Sequence, residues 1–214
     1  MESKTDSEIN FHELLLGTAT RVRHITRWSN FPKVHPESVA EHSFFTSMCA
    51  LIIATDMRSC GLIVDVGLVL SRAIMHDVEE AFSGDFVRSF KHSDPELDNA
   101  ITCAAGRFHL QFCNALIGRE SANELHDYWL HAKNADLEGS IVAFADYLAL
   151  ISYVMCEMRS GNSHMLERRM SLIEYGMQFT TNLYLHRYAD IVLTIFGEEV
   201  MRCLPKNPDD PGLT

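Results

Sequence analysis

Two apolar runs in this chain carry ionisable groups where a helical core has least room for them. "VDVGLVLSRAIMHDVEEA" is apolar almost all round, yet it contains His76 and Asp77 side by side. "VAFADYLAL", inside the long run "LEGSIVAFADYLALISYVMCEMRSG", contains Asp146. A buried carboxylate without partners loses its hydration, so each of these groups must be satisfied by something folded against it. The runs are long and lack alternating polarity, so they predict buried helices.

The rest of the chain has the same character. "EINFHELLLGTATRVRHI" places Phe11, Leu14, Leu15 and Val22 at amphipathic-helix spacing and predicts one helix that frays near Trp28 and ends before Pro32. "PESVAEHSFFTSMCALIIATDM" begins with Pro36 and Ser38, with Glu41 three positions after Ser38 as in a capping box, and carries His42 in its first turns. Helical runs follow from Pro95 to Ile117, from Arg119 to His131, and on to about Met201, while "SGD" at Ser83 to Asp85 predicts a break. No repeat and no strand–turn alternation is present. The expectation is an all-α, single-domain bundle of about six or seven helices. Residues 9–202 form the domain, between a flexible N-terminus (1–8) and a flexible tail (203–214).

Composition narrows the classes of function. With 214 residues and 47% apolar content, one sizeable core is expected. The six cysteines show no C-x-x-C spacing and read as reduced packing residues of a cytoplasmic protein. The polar start "MESKTDSEIN" is unlike a secretory signal, and the apolar runs are too short or broken by Asp146, so no membrane span is expected. A net charge of −11 argues against a nucleic-acid polymer as partner. The positive charge is local: from Leu14 to Pro36 there is no acidic residue, while Arg21, Arg23, Arg27 and Lys33 all fall there. That segment is either a small anion site or a solvated face, the latter preferred for Arg21 and Arg23 taken singly.

Any one of His42, His76, Asp77 and Asp146 taken alone is accommodated by hydrogen bonds in a core. As an ordered set from three helices, two imidazoles and two carboxylates are the donors a divalent transition metal takes: Co, Mn, Zn or Fe. Neighbours on a helix point about 100° apart, so His76 and Asp77 can both ligate only at a helix edge or end. Glu80 lies four residues after His76 and three after Asp77, on the same side, placed to handle the proton of an attacking water. Glu79 is expected to point elsewhere, into solvent. Arg27 offers a planar donor fork for a phosphate, and Trp28 a rigid wall for a sugar or base, although an ordinary core or loop-covering aromatic is an equal alternative for Trp28.

The order Arg27-Trp28, His42 in "ESVAEHS", His76-Asp77 in "HDVEEAFSGD" and Asp146 in "FADYLAL" resembles the HD-domain phosphohydrolases. Within them it is most similar to bacterial 5′-deoxynucleotidases and phage-encoded deoxynucleotide (dATP) phosphohydrolases. Arg-Trp fifteen residues before the first histidine, with "HD-x-x-E-x-x-x-GD" later, is the more specific part of the match. The resemblance implies one divalent metal on His42, His76, Asp77 and Asp146, phosphate binding by Arg27, and exclusion of ribonucleotides by Trp28. It also implies Glu80 beside the attacking water and Asp85 as a second acid near substrate and water. Lys91 is a further candidate phosphate contact. His92, His109, His126 and His131 do not reproduce a two-metal pattern, and His126 and His131 are expected on an exposed helix.

The function implied is phosphate release from 2′-deoxynucleoside monophosphates. Two alternatives stand beside it: a triphosphohydrolase releasing tripolyphosphate, and a non-catalytic nucleotide sensor. The partners expected are a small deoxynucleotide and further copies of the chain in a homo-oligomer, with the apolar segment from Ser171 to Val200 as either a candidate interface or part of the core.

Overall fold

A computed structural model describes residues 9–85 and 93–204. The expectations for residues 1–8, for Lys91 and for all but the first two residues of 203–214 lie outside the described residues. Among the described residues the architecture is all-helical, and the single β-type contact is an isolated bridge between Thr26 and Ser38. The chain divides into two compact units: residues 1–30 with 36–149, and residues 31–35 with 150–214.

The first unit opens with α1 (Phe11–Leu16) and a 3-10 turn (Thr18–Arg23) in place of the single long helix expected here. Gly17 is where the pattern fails. A Cβ at this position would collide with the side chain and carbonyl of Glu13, whose carboxylate accepts the Thr18 N–H at 2.8 Å. The Glu13 side chain thus closes α1, and the chain tightens.

Next come α2 (Val39–Ser59), α3 (Val66–Met75), α4 (Glu80–Ser83), α5 (Pro95–Leu116), α6 (Arg119–Leu130) and α7 (Leu137–Arg159), whose first part, to Ala149, belongs to this unit. α2 starts with the expected capping box: Ser38 Oγ accepts the Glu41 N–H at 3.2 Å and Glu41 Oε2 accepts the Ser38 N–H at 2.7 Å. Asp65 and Asp94 cap α3 and α5 with their carboxylates alone, which accept first-turn N–H groups, those of Leu68 and of Glu96 and Leu97. Asp136 accepts from the Gly139 N–H at 2.7 Å and from Arg72 at 2.6 Å, which fastens the start of α7 to α3. Ile141, Val142, Phe144 and Tyr147 are fully buried along α7. At about 1.5–3 kcal/mol for each large apolar side chain, that burial fixes the helix that presents Asp146. A second cluster, Phe112, Cys113, Leu116 and Ala122, packs α5 on α6 with Val78 and Phe82 against it.

The second unit contains the end of α7, α8 (Ser163–Glu167), α9 (Arg169–Met177), a 3-10 turn (Gln178–Thr181) and α10 (His186–Cys203). Glu157 holds its extended piece, accepting the N–H groups of Val34 at 2.8 Å and His35 at 2.7 Å. The Arg159 guanidinium forks onto Glu199 at 2.6 and 2.8 Å. Seven helices have nine residues or more among the described residues, namely α2, α3, α5, α6, α7, α9 and α10, and the shorter ones are added turns.

One further expectation changes. α7 spans 23 residues and is long and apolar enough to cross a membrane by length and composition, despite Asp146; 61% of its most apolar window is buried inside the protein. The six cysteines, all within the described residues, form no disulfide.

Candidate metal and phosphate site

The first unit gathers His42 from α2, His76 and Asp77 from the turn after α3, and Asp146 from α7, with one donor atom of each within 4.8 Å of the others. α3 ends at Met75, earlier than the apolar pattern suggested, and the chain continues in i to i−3 bonds: Val78 N–H to Met75 O at 3.2 Å, Glu80 N–H to Asp77 O at 3.1 Å. This tightening lets adjacent residues face one point, as sequence reasoning required of His76 and Asp77.

His42 Nε2 lies 2.9 Å from Asp146 Oδ1 and 3.5 Å from Asp77 Oδ2, and His76 Nε2 lies 3.1 Å from Asp77 Oδ2. His76 Nδ1 donates to the Ala73 carbonyl at 2.7 Å, which assigns the lone pair to Nε2. That Nε2 is buried and has no hydrogen-bond partner, although a carboxylate oxygen faces it. A lone-pair nitrogen opposite carboxylate oxygens is repulsive until a proton or cation lies between them, so these donors fit a divalent ion.

The electrostatics agree. Burial works against Asp77 and Asp146, yet for Asp77 the neighbouring His76, Lys133 and Arg27 hold its carboxyl well below the usual range. For Asp146, Lys133 and His42 do the same. Burial, reinforced by the charge of Arg27, lowers His42; at His76 burial is again the largest single effect, but Asp77 and the charge of Asp146 together outweigh it and raise the pKa.

Arg27 reaches the cluster through the bridge at the base of its loop, where its N–H donates to Glu37 O at 2.9 Å and the Val39 N–H donates to Ile25 O at 3.0 Å. Its Nη1 donates to Asp77 Oδ2 at 3.1 Å, while its Nε, 3.4 Å from Glu37 Oε2, is buried and makes no hydrogen bond. Burial opposes the charge of Arg27, but Asp77, Asp146, Glu80 and Glu37 outweigh it. Trp28 follows at φ 57, where an aromatic residue costs about 1–2 kcal/mol, and its N–H donates to Asp85 Oδ2 at 2.6 Å. Glu80 Oε2 is buried without a hydrogen-bond partner, and burial and the Asp77 charge push its carboxyl up to about 10. The structure therefore brings His42, His76, Asp77, Asp146, Arg27, Trp28, Glu80 and Asp85 into one neighbourhood.

Sequence reasoning missed several neighbours. Lys133 Nζ donates to Asp146 Oδ2 at 2.6 Å, and Glu37 lies beside Arg27, pushed by burial up to about 7. Nothing in the sequence marks Lys133, because its position follows from the turn between α6 and α7. Glu79 corrects the expectation of a solvated side chain: it accepts from Trp129 Nε1 at 2.7 Å, and burial and Asp77 push it up to about 7. His126 is likewise half-buried, its Nδ1 lying 3.1 Å from Nδ1 of the buried His109. The only group of three or more metal-type donors found among the described residues is the one above, so these histidines add no second metal set.

A helical fold that brings H…HD…D side chains to one point defines an HD-domain phosphohydrolase, a metal-dependent enzyme class. Residues 15–183 match the family model for YfbR-like 5′-deoxynucleotidases, and the chain belongs to that family. It is 25% identical over 183 residues to a dATP triphosphohydrolase of Salmonella phage PMBT28, covering 80% of this chain and 78% of the relative. It is 24% identical over 185 residues to a 5′-deoxynucleotidase of Pasteurella multocida, covering 84% and 92%. The fold is similar to the solved structure of the cyanophage S-2L HD phosphohydrolase DatZ bound to dA and one catalytic Zn2+ ion. There the TM-score is 0.55 at 16% identity, over 86% of this chain and 95% of that one. The protein is thus an HD-domain phosphohydrolase of deoxynucleotides.

Proposed function

We propose that the protein removes the 5′-phosphate of 2′-deoxynucleoside monophosphates, with a single divalent ion, Co, Mn, Zn or Fe, held by His42, His76, Asp77 and Asp146. The observation that carries this reading is the convergence of those four donors beside an arginine whose Nε is buried and unbonded. When bound, such an ion supplies Lewis acidity and lowers the pKa of a water. Arg27 binds the phosphoryl oxygens with its fork, of which one arm rests on Asp77, and offsets the charge that develops there. Glu80, one helical turn from the ligands, exchanges the proton between the attacking water and the leaving oxygen. Trp28, in this reading, walls the sugar and excludes a ribose 2′-hydroxyl. Lys91 remains a candidate second phosphate contact.

The phage relative named for dATP triphosphohydrolysis supports a second reading of the same site, in which a triphosphate is bound and tripolyphosphate leaves. The products separate the two. Incubation of the purified protein with all deoxynucleoside mono- and triphosphates, each with Mn, Co, Zn or Fe, tests both readings. Orthophosphate from a monophosphate supports the nucleotidase, and tripolyphosphate from a triphosphate supports the alternative. Hydrolysis of neither sinks both and leaves the sensor. A homo-oligomer is part of the proposal, supported by exposed Ile191 and Ile195 on α10 and by Met177 and Leu183 in the same unit.

A further inference from the structure

We propose that Asp85 is a positioning residue: its carboxylate clamps the backbone of Trp28 in the left-handed conformation and thereby sets how strictly the site rejects a ribose. The inference rests on Trp28 as the wall beside the sugar.

The two residues lie 57 positions apart and meet through one 2.6 Å hydrogen bond, Trp28 N–H to Asp85 Oδ2. Trp28 is the only non-glycine residue among the described ones with positive φ. A bulky side chain does not hold that conformation unless its surroundings impose it. Asp85 also accepts the Ser29 N–H, so two successive amide groups of the turn converge on one carboxylate. Consecutive N–H groups around a left-handed residue form a small anion nest, and the anion here is supplied by the protein itself.

The sequence delivers Asp85 through Gly84. That residue sits at φ 72, ψ 172, with nothing within 4 Å of where a Cβ would be, so the demand is on its backbone angles rather than on space. Its N–H closes α4 by donating to Glu80 O at 2.8 Å, and the chain then leaves toward the loop of Trp28. Glycine is the residue that reaches this region without a steric penalty. The pair Gly84-Asp85 therefore ties the arginine–tryptophan loop to the short segment that carries Asp77 and Glu80. The indole is held at a fixed place relative to the metal ligands, although no side-chain contact with them is required.

Positioning and direct contact with substrate give different results. The ratio of kcat/KM for a deoxynucleotide to that for its ribonucleotide is measured for the wild type, Asp85→Ala, Asp85→Asn, Trp28→Ala and the double variant Trp28→Ala/Asp85→Ala. Amide hydrogen exchange across residues 26–30 is followed alongside, and it needs no substrate. Asp85→Ala is expected to speed exchange there and to lower the ratio about tenfold or more. Asp85→Asn, which retains one acceptor oxygen, is expected to recover part of both effects. The double variant should discriminate no worse than Trp28→Ala. Equal loss on both sugars with the ratio unchanged overturns the proposal, as does unaltered exchange in Asp85→Ala or, should that variant not fold, in Asp85→Asn. A wild type that hydrolyses both sugars equally instead removes the sugar-wall reading of Trp28, and the exchange data then still report on the clamp.

Discussion

Lys133 Nζ lies 2.6 Å from Asp146 Oδ2, while the other oxygen of the same carboxylate lies 2.9 Å from His42 Nε2. One carboxylate is thus shared between a lysine and the candidate metal centre. Lys133 balances charge where Asp77 and Asp146 meet, which predicts that Lys133→Ala destabilises the metal-free protein more than the metal-loaded one. With its side chain 36% exposed, a loss of about 1–2 kcal/mol is expected without metal, discounted from the cost of breaking a fully buried pair. Urea unfolding with chelator and with added zinc measures both values. An equal loss in the two states would remove Lys133 from the electrostatics of the centre.

Removing metal should cost stability, because four buried donors then face one another without a cation. An ion at one hundred times its Kd adds about 2.7 kcal/mol. Thermal unfolding with and without chelator should therefore differ for the wild type and coincide for His76→Ala. A metal-dependent shift that survives in His76→Ala would place the ion elsewhere.

Glu80 carries a buried oxygen without a partner and sits one turn beyond Asp77, which suits proton transfer better than ligation. Glu80→Ala is expected to lower kcat on a deoxynucleotide by about 10²–10⁴-fold. Zinc affinity, followed by calorimetry, should remain. Turnover at the wild-type rate would take Glu80 out of the mechanism.

His109 gives a pH dependence independent of the candidate metal donors. Burial, followed by the neighbouring His126, pushes its pKa down from 6.5 to about 4, and it stacks on Trp129 with ring centroids 4.9 Å apart. Between those values the unfolded chain takes up a proton that the folded protein refuses, so this group's contribution to stability falls as pH falls. From pH 7 to pH 5 the loss should be about 2 kcal/mol. Chemical denaturation at the two pH values should show a smaller drop for His109→Phe than for the wild type. The same drop in both would mean that His109 is protonated in the folded state.

The helical class, the capping box at Ser38 and the gathering of His42, His76, Asp77 and Asp146 were legible in the sequence because each depends on local pattern or on the cost of burying charge. The break at Gly17 was not, since it depends on where the Glu13 side chain turns. Glu79 was misjudged because helical spacing placed it away from His76, whereas its environment is set by Trp129 from α6, fifty residues on. Lys133 and Glu37 were invisible for the same reason: a charge acquires meaning only from what the fold sets beside it. The early end of α3 at Met75 lies between these cases. The need for His76 and Asp77 to face one point implied a helix end, but the pattern of apolar residues ran past it.

Anomalous diffraction at the zinc edge, from crystals grown with zinc, tests the central claim most directly. The account predicts one strong peak about 2.0–2.2 Å from a donor atom of each of His42, His76, Asp77 and Asp146. A peak bound elsewhere, or none at this cluster, would contradict it.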